Sequence, residues 1–356
     1  MKTLNLKKII AAGLTFAGLA LVPNLQADVE VFFAGGNASQ SVLYDRVTNI
    51  LTGGITSVAI SSTNSTVRTY KGSISAAPSL GTVTIDFSLL GAVGGFQDVA
   101  NQSPELTALG SNSVPDVAVS STSPEAVGIN PAPFSQSRTL VVPFVFIKNP
   151  SLSPNLAGVT NLTQRQAYYL EGASGTLPSA FFGGSTNNDV VYLVARNTAA
   201  AVRTEIDANI YFTGTISSWT TNALGQPVSD PNGGLANGGA VQNHLKVIPN
   251  AIGTVAAQDI STFTPLAYEG VPFSITNVET GSYPIWGYER WAWLKTGQTG
   301  TPVGTTKYTI ITNLLAAVTN VTFQTTSPLI TGKFGRLSLL QVERSSDGGP
   351  ITSTLY

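Results

Sequence analysis

The sequence predicts an α/β protein of two lobes. Three observations point there: apolar strand-like runs alternate with stretches of helical spacing, small-residue turns join them, and the chain is too long for one core. Val29-Glu30-Val31-Phe32-Phe33 reads as a buried first strand, closed by the turn Ala34-Gly35-Gly36-Asn37-Ala38-Ser39. Val42, Leu43, Val47, Ile50 and Leu51 then recur at helical spacing. Residues 82–87 alternate as a second strand, and Gly91-Ala92-Val93-Gly94-Gly95 opens another helix. Asp116-Val117-Ala118-Val119 is a third strand, ending in Ser120-Ser121-Thr122-Ser123.

The second half repeats the plan. Residues 140–147 form a continuous apolar strand that changes environment at Pro143. Residues 162–170 are helical, with Thr163 as N-cap. A buried strand at 189–195 precedes a helix at 198–206. Residues 247–253 read as a strand with a turn, 283–288 as an aromatic strand, and 307–317 as a late helix. The Gly/Asn/Pro-rich segment 225–240 reads as a surface loop.

The first 27 residues read as a secretory signal peptide. Lys2, Lys7 and Lys8 precede the apolar run 9–22, Pro23-Asn24 breaks it, and Ala27 offers a small residue for cleavage. The run is too short to span a bilayer comfortably. Cleavage near Ala27 would leave 329 of the 356 residues and place the protein in the periplasm or outside the cell. The chain has no cysteine, so neither a disulfide nor a lipid-attachment thiol is available. Without the three leader lysines, 15 basic residues face 19 acidic ones. That balance argues against a nucleic-acid partner.

The chemistry of enzymes leaves little trace. The one histidine, His244, reads as a surface residue, and no G-x-S-x-G elbow accompanies it. No P-loop or dinucleotide fingerprint occurs, and one histidine without cysteine makes a transition-metal site improbable. No enzyme activity and no cofactor are expected. The repeated device is instead a strand that runs into a small polar turn and a helix start, at 35–41, 90–95 and 196–203, with a possible fourth at 120–123. Helix starts carry unpaired N–H groups and the positive end of the dipole, so several converging on a cleft suit an anion. Arg196 and Arg203 flank one of these turns.

The order of these segments resembles the phosphate-type substrate-binding proteins of ABC importers, within the class II periplasmic binding proteins. Residues 34–44 look like the family's opening glycine-alanine-serine/threonine turn and helix, and 90–97 like its second Gly/Ser-rich turn. Residues 115–124 look like the strand ending in a serine-aspartate pair, and 143–149 like the crossover strand ending in asparagine. Residues 194–203 stand where the family has arginine followed by serine-glycine-threonine-arginine. The most specific likenesses are Asn250-Ala251-Ile252-Gly253 and Gly281-Ser282-Tyr283-Pro284-Ile285.

The resemblance implies two lobes, each a mostly parallel sheet flanked by helices, with two crossover strands near Leu140 and Tyr268 as the hinge. The lobes would be 28–141 plus 269–356, and 142–268. It implies a monomer that captures a small inorganic oxyanion such as phosphate between the lobes and delivers it to an ABC permease. Anion contacts would come from Ala38 and Ser39, Gly91 and Ala92, Ser121, and Arg196 with Ala199, Ala200 and Ala201. Arg196 leads, because a guanidinium bonds an oxyanion in fork geometry; a structural ion pair with a carboxylate is the alternative.

This sequence departs from the pattern at two places. Ala200-Ala201-Val202 replaces serine-glycine-threonine, and Ser121 replaces the aspartate that would accept a proton from hydrogen phosphate. With serine there, sulfate is no longer penalised. An extracellular structural or adhesive protein with a degenerate site is therefore the alternative function, and a secreted hydrolase the third. The aromatics Tyr283, Trp286, Tyr288, Trp291 and Trp293 suit either core packing, the preferred reading, or a sugar platform.

Overall fold

The computed structural model describes residues 28–184 and 189–354. The leader expected at 1–27 lies outside the described residues. The principal strands are β1 Val29–Gly35, β2 Ile55–Ile60, β3 Val67–Ser73, β4 Thr82–Ser88, β5 Val117–Ser120, β6 Phe134–Lys148, β7 Thr176–Pro178, β8 Val190–Val194, β9 Ala251–Ala256 and β10 Trp286–Leu294. The helices are α1 Gln40–Ile50, α2 Ala92–Asn101, α3 Gln164–Gly172, α4 Ala201–Ile210, α5 Gly238–Leu245, α6 Ile275–Glu279, α7 Thr306–Thr319 and α8 Val321–Thr326.

The strands lie in the order β7-β8-β9-β6-β10-β5-β1-β4-β3-β2. Pairing is parallel where a helix makes the crossover, at β1–β4, β1–β5 and β8–β9. β6 joins two half-sheets. Its first part, through Pro143, pairs with β10, and its last part, from Phe144, pairs with β9. Pro143 has no N–H to give a ladder, so the point of partner exchange suits it. The switch in environment expected at this proline is thus a switch in partners.

β1 and α1 form where the apolar spacing predicts them. Val31, Phe32 and Phe33 are fully buried, and α1 turns Val42, Leu43, Tyr44 and Val47 inward. Thr163 caps α3 in a full capping box with Gln166. Three expectations need correction. α4 starts at Ala201, three residues later than the spacing suggests, because residues 195–197 are held in a bridge to Leu235. The 225–240 loop ends in the first turn of α5, capped by Asn237. The aromatic strand begins at Trp286 rather than Tyr283 and runs on to Leu294. All five aromatics of that region are at most 5% exposed, so they are core rather than a sugar platform.

The core carries several carboxyls that burial makes reluctant to ionise. Asp86 on β4 accepts a hydrogen bond from the cross-strand Thr69 hydroxyl, yet burial pushes it up to about 6. Glu171 on α3 lies fully buried against Asp207 of α4 and is held well above the usual carboxylate range, chiefly by burial and then by that neighbour. Such groups bind more protons folded than unfolded. The stability they contribute is present below their unfolded values and is lost as pH rises through the folded ones. The melting temperature is therefore expected to fall between pH 4 and pH 6.5 or so, and Asp86→Asn is expected to flatten that slope in thermal scans across the window.

Candidate functional site

The site is assembled at the ends of β1, β4, β5 and β8. Gly35 ends β1 with φ 141, and a Cβ there would stand 2.0 Å from the Val119 carbonyl oxygen. Only glycine lets the two strand ends meet so closely. The Gly36 amide then donates to Val119 O at 2.7 Å, and the Gly91 amide to Gly35 O at 2.9 Å. These bonds fix the starts of α1 and α2 beside each other. From the other half-sheet, β8 delivers Arg196 and the start of α4.

One small cavity lies among these ends. Ala38, Gly91, Ala92, Ser121, Arg196, Ala199, Ala200 and Ala201 line it, together with Asn37, Phe144, Ala236 and Asp259. It offers about 20 Å³ to the centre of a water-sized sphere, where one water needs roughly 10–15 Å³. Ser39 does not line the cavity. Its hydroxyl, like that of Ser121, donates to the buried carboxylate of Glu289. Ser120 and Thr122 are buried and bonded to each other, Oγ to Oγ1, at 3.0 Å.

α1, α2 and α4 begin at Ser39, Gly91 and Ala200, beside or at the cavity, without a side-chain cap. Of the helices that start elsewhere, α3, α5, α6 and α8 are capped by Thr163, Asn237, Ser274 and Asn320, while α7 has no side-chain cap. The first-turn amides of an α-helix have no partner within the helix. At α4 the N-cap is alanine, so no side-chain oxygen competes for them.

Arg196 is 6% exposed. Its Nε donates to Leu235 O at 3.2 Å and its Nη2 to Ala236 O at 2.8 Å. Burial lowers its pKa to about 10, opposed by the charge of Asp259. Asp259 is raised by burial in turn and held down by Arg196. No ion pair within 4 Å joins the two among the described residues, so the expected alternative of a direct salt bridge is not what holds the guanidinium: two carbonyls do. The cavity wall thus carries one positive and one negative side chain. The two sides of the cavity are also bonded directly to each other. The Val93 amide of α2 donates to Ala199 O at 3.4 Å, and Gln258 Nε2 donates to Asn37 O at 3.4 Å.

Neither Asp259 nor Glu289 is marked by a motif in the sequence. Asp259 lies in a one-turn 3-10 helix behind β9 with no motif around it. Glu289 had a signal, since a carboxylate inside the apolar run Trp286–Leu294 must find buried donors. His244 is half-buried at the end of α5, with Thr220 Oγ1 3.1 Å from its Nε2. It is less exposed than expected, and the groups within hydrogen-bond reach are threonines, with no serine nucleophile. Among the described residues no cluster of three His, Cys, Asp or Glu is placed to hold a metal.

The architecture is that of two-lobed periplasmic binding proteins. A Clostridium perfringens structure described as a phosphate ABC transporter substrate-binding protein with bound phosphate superposes with a TM-score of 0.55 at 12% identity, covering 83% of this chain and 95% of that one. An ABC-type phosphate transport receptor from Vibrio cholerae gives 0.53 at 11% identity, covering 83% and 96%. No protein-family model and no curated protein matches the sequence.

Proposed function

We propose that the chain is an exported solute-binding protein that captures a small oxyanion, phosphate first, and presents it to an ABC permease. It has no catalytic role in this reading. The ligand lies between lobes 28–141 plus 269–356 and 142–268, held by Ala38, Gly91, Ala92, Ser121, Arg196, Ala200 and Ala201. The observation that carries this reading is that two helix starts without side-chain caps, those of α2 and α4, line one cavity with Arg196 and the turn that leads into α1. The cavity is small and walled mostly by glycine, alanine and backbone, which suits a compact solute. The two phosphate-related structures of this fold support the choice of ligand. Ser39, expected among the contacts, serves through Glu289 instead.

A degenerate site in an extracellular structural or adhesive protein is the second reading. It is favoured by the alanines in place of hydroxyl donors and by Asp259, which offsets the charge of Arg196. Calorimetry with phosphate, arsenate, sulfate and molybdate separates the two. Saturable heat with phosphate is expected, together with a raised melting temperature at excess ligand. Silence with all four anions removes the oxyanion reading.

A further inference from the structure

The C-terminal segment closes into a hairpin, Val342–Glu343 against Thr352–Ser353, with the Thr354 amide donating to Gln341 O at 2.9 Å. Its loop does not stand free. Arg344 is 1% exposed and lies over the Trp286 ring, 4.2 Å from the centroid. Its Nη1 donates to Trp286 O at 2.9 Å and its Nη2 to Pro284 O at 2.6 Å. Asp347, its side chain fully buried, accepts from the Ser123 amide and pairs with Arg290 Nη2 at 3.2 Å. These bonds moor the loop to β10 and to the turn after β5, both in the half-sheet of β1.

The same loop grips α4, which follows β8 in the other half-sheet. Arg344 Nη1 stands 3.9 Å from Oε2 of the fully buried Glu205. A Cβ on Gly348, whose φ is 64, would lie 2.4 Å from Ala208 Cβ and 2.6 Å from the Ala208 carbonyl carbon. Only glycine lets the loop press so closely on the helix backbone. Glu205 in turn reaches β10 over Gly287, where a Cβ would lie 2.5 Å from its Oε1. α4 begins at the cavity wall, and the turn after β5 carries Ser121, which lines the cavity. The loop therefore ties two sides of the cavity to each other. The tie can be undone. Neither oxygen of Glu205 makes a hydrogen bond among the described residues, and both gain water when the loop lifts.

We propose that loop 344–348 is a clasp: seated, it holds α4 against β10 and keeps the cavity walls together, and opening of the cavity requires its release. Its effect on the ligand rests on the oxyanion reading above; its hold on α4 does not. A bound solute and a seated clasp favour the same form, so each strengthens the other.

Hydrogen exchange of residues 201–210 and calorimetric titration with inorganic phosphate test it. Gly348→Ala drives a Cβ into Ala208. It is expected to speed exchange in α4 at least ~10-fold and to weaken phosphate binding by a similar factor. Gly332→Ala is the control. Its φ is 75 and a Cβ there meets nothing within 4 Å, so it carries the backbone strain without the contact. Both readouts are expected to stay within about twofold of the parent. Asp347→Asn, which removes the charge facing Arg290, is expected to move both readouts in the direction of Gly348→Ala and serves if that variant does not fold. Exchange in α4 that matches the parent in the folded variants overturns the clasp and leaves the oxyanion reading standing. Faster exchange with unchanged phosphate affinity also overturns it, because the loop then holds the helix without holding the cavity. A parent that binds no phosphate overturns the oxyanion reading, and the exchange of α4 then decides the clasp alone.

Discussion

Arg196→Ala is expected to weaken phosphate binding by at least ~100-fold, measured by calorimetry on protein shown to be folded. The guanidinium is the cationic side chain on the cavity wall. It is oriented by two carbonyls, Leu235 O and Ala236 O, before any ligand arrives. A ligand therefore meets a donor set already in place, and little ordering is left to oppose binding. Truncating one partner of a buried, hydrogen-bonded charge pair costs about 2–5 kcal/mol, or roughly 30-fold to several thousand-fold in affinity. The loss is deepened by Asp259, whose negative charge then faces the anion without its counterweight. Arg196→Lys keeps the charge but not the flat fork that spans two carbonyls, and an intermediate loss is expected. Undiminished binding by the folded alanine variant would sink the assignment of the site.

Gly35→Ala is expected to cost at least about 4 kcal/mol of stability, read from denaturant unfolding, or to prevent folding outright. Two effects add. The φ of 141 is one that side-chain-bearing residues rarely adopt, and the new Cβ would lie 2.0 Å from Val119 O. The obstacle is backbone in a central parallel pair, β1 against β5, so no side chain can swing aside. Gly110→Ala is the control. Its φ is 83, and a Cβ there meets nothing within 4 Å. A loss near 1 kcal/mol, the backbone strain alone, is expected.

The strands and helices that pack were legible because packing imposes their spacing. β1, α1, β4, β5 and α3 follow from apolar runs, helical recurrence and a capping threonine. The β2–β3 hairpin was not, because β2 is a sheet edge whose residues Ile55–Ile60 are almost all exposed, and an exposed edge writes no alternation. The start of α4 was displaced by a long-range bridge from Arg196 to Leu235, which no local propensity encodes. The turns lining the cavity could be read because a strand-turn-helix unit is local. The partners of their side chains could not, because Glu289 reaches Ser39 across 250 residues of sequence and Ser121 across 168.

β6 has a mechanical consequence. Fifteen residues of extended chain run about 50 Å, and this one ladder is stitched to β10 along its first part and to β9 along its last. The half-sheets therefore share an axle. Shearing one against the other would tear bonds from both neighbours at once, whereas twisting about the axle is absorbed at Pro143, where no amide bond is available to break. Any movement of one half-sheet against the other would therefore meet less resistance as rotation about β6 than as shear.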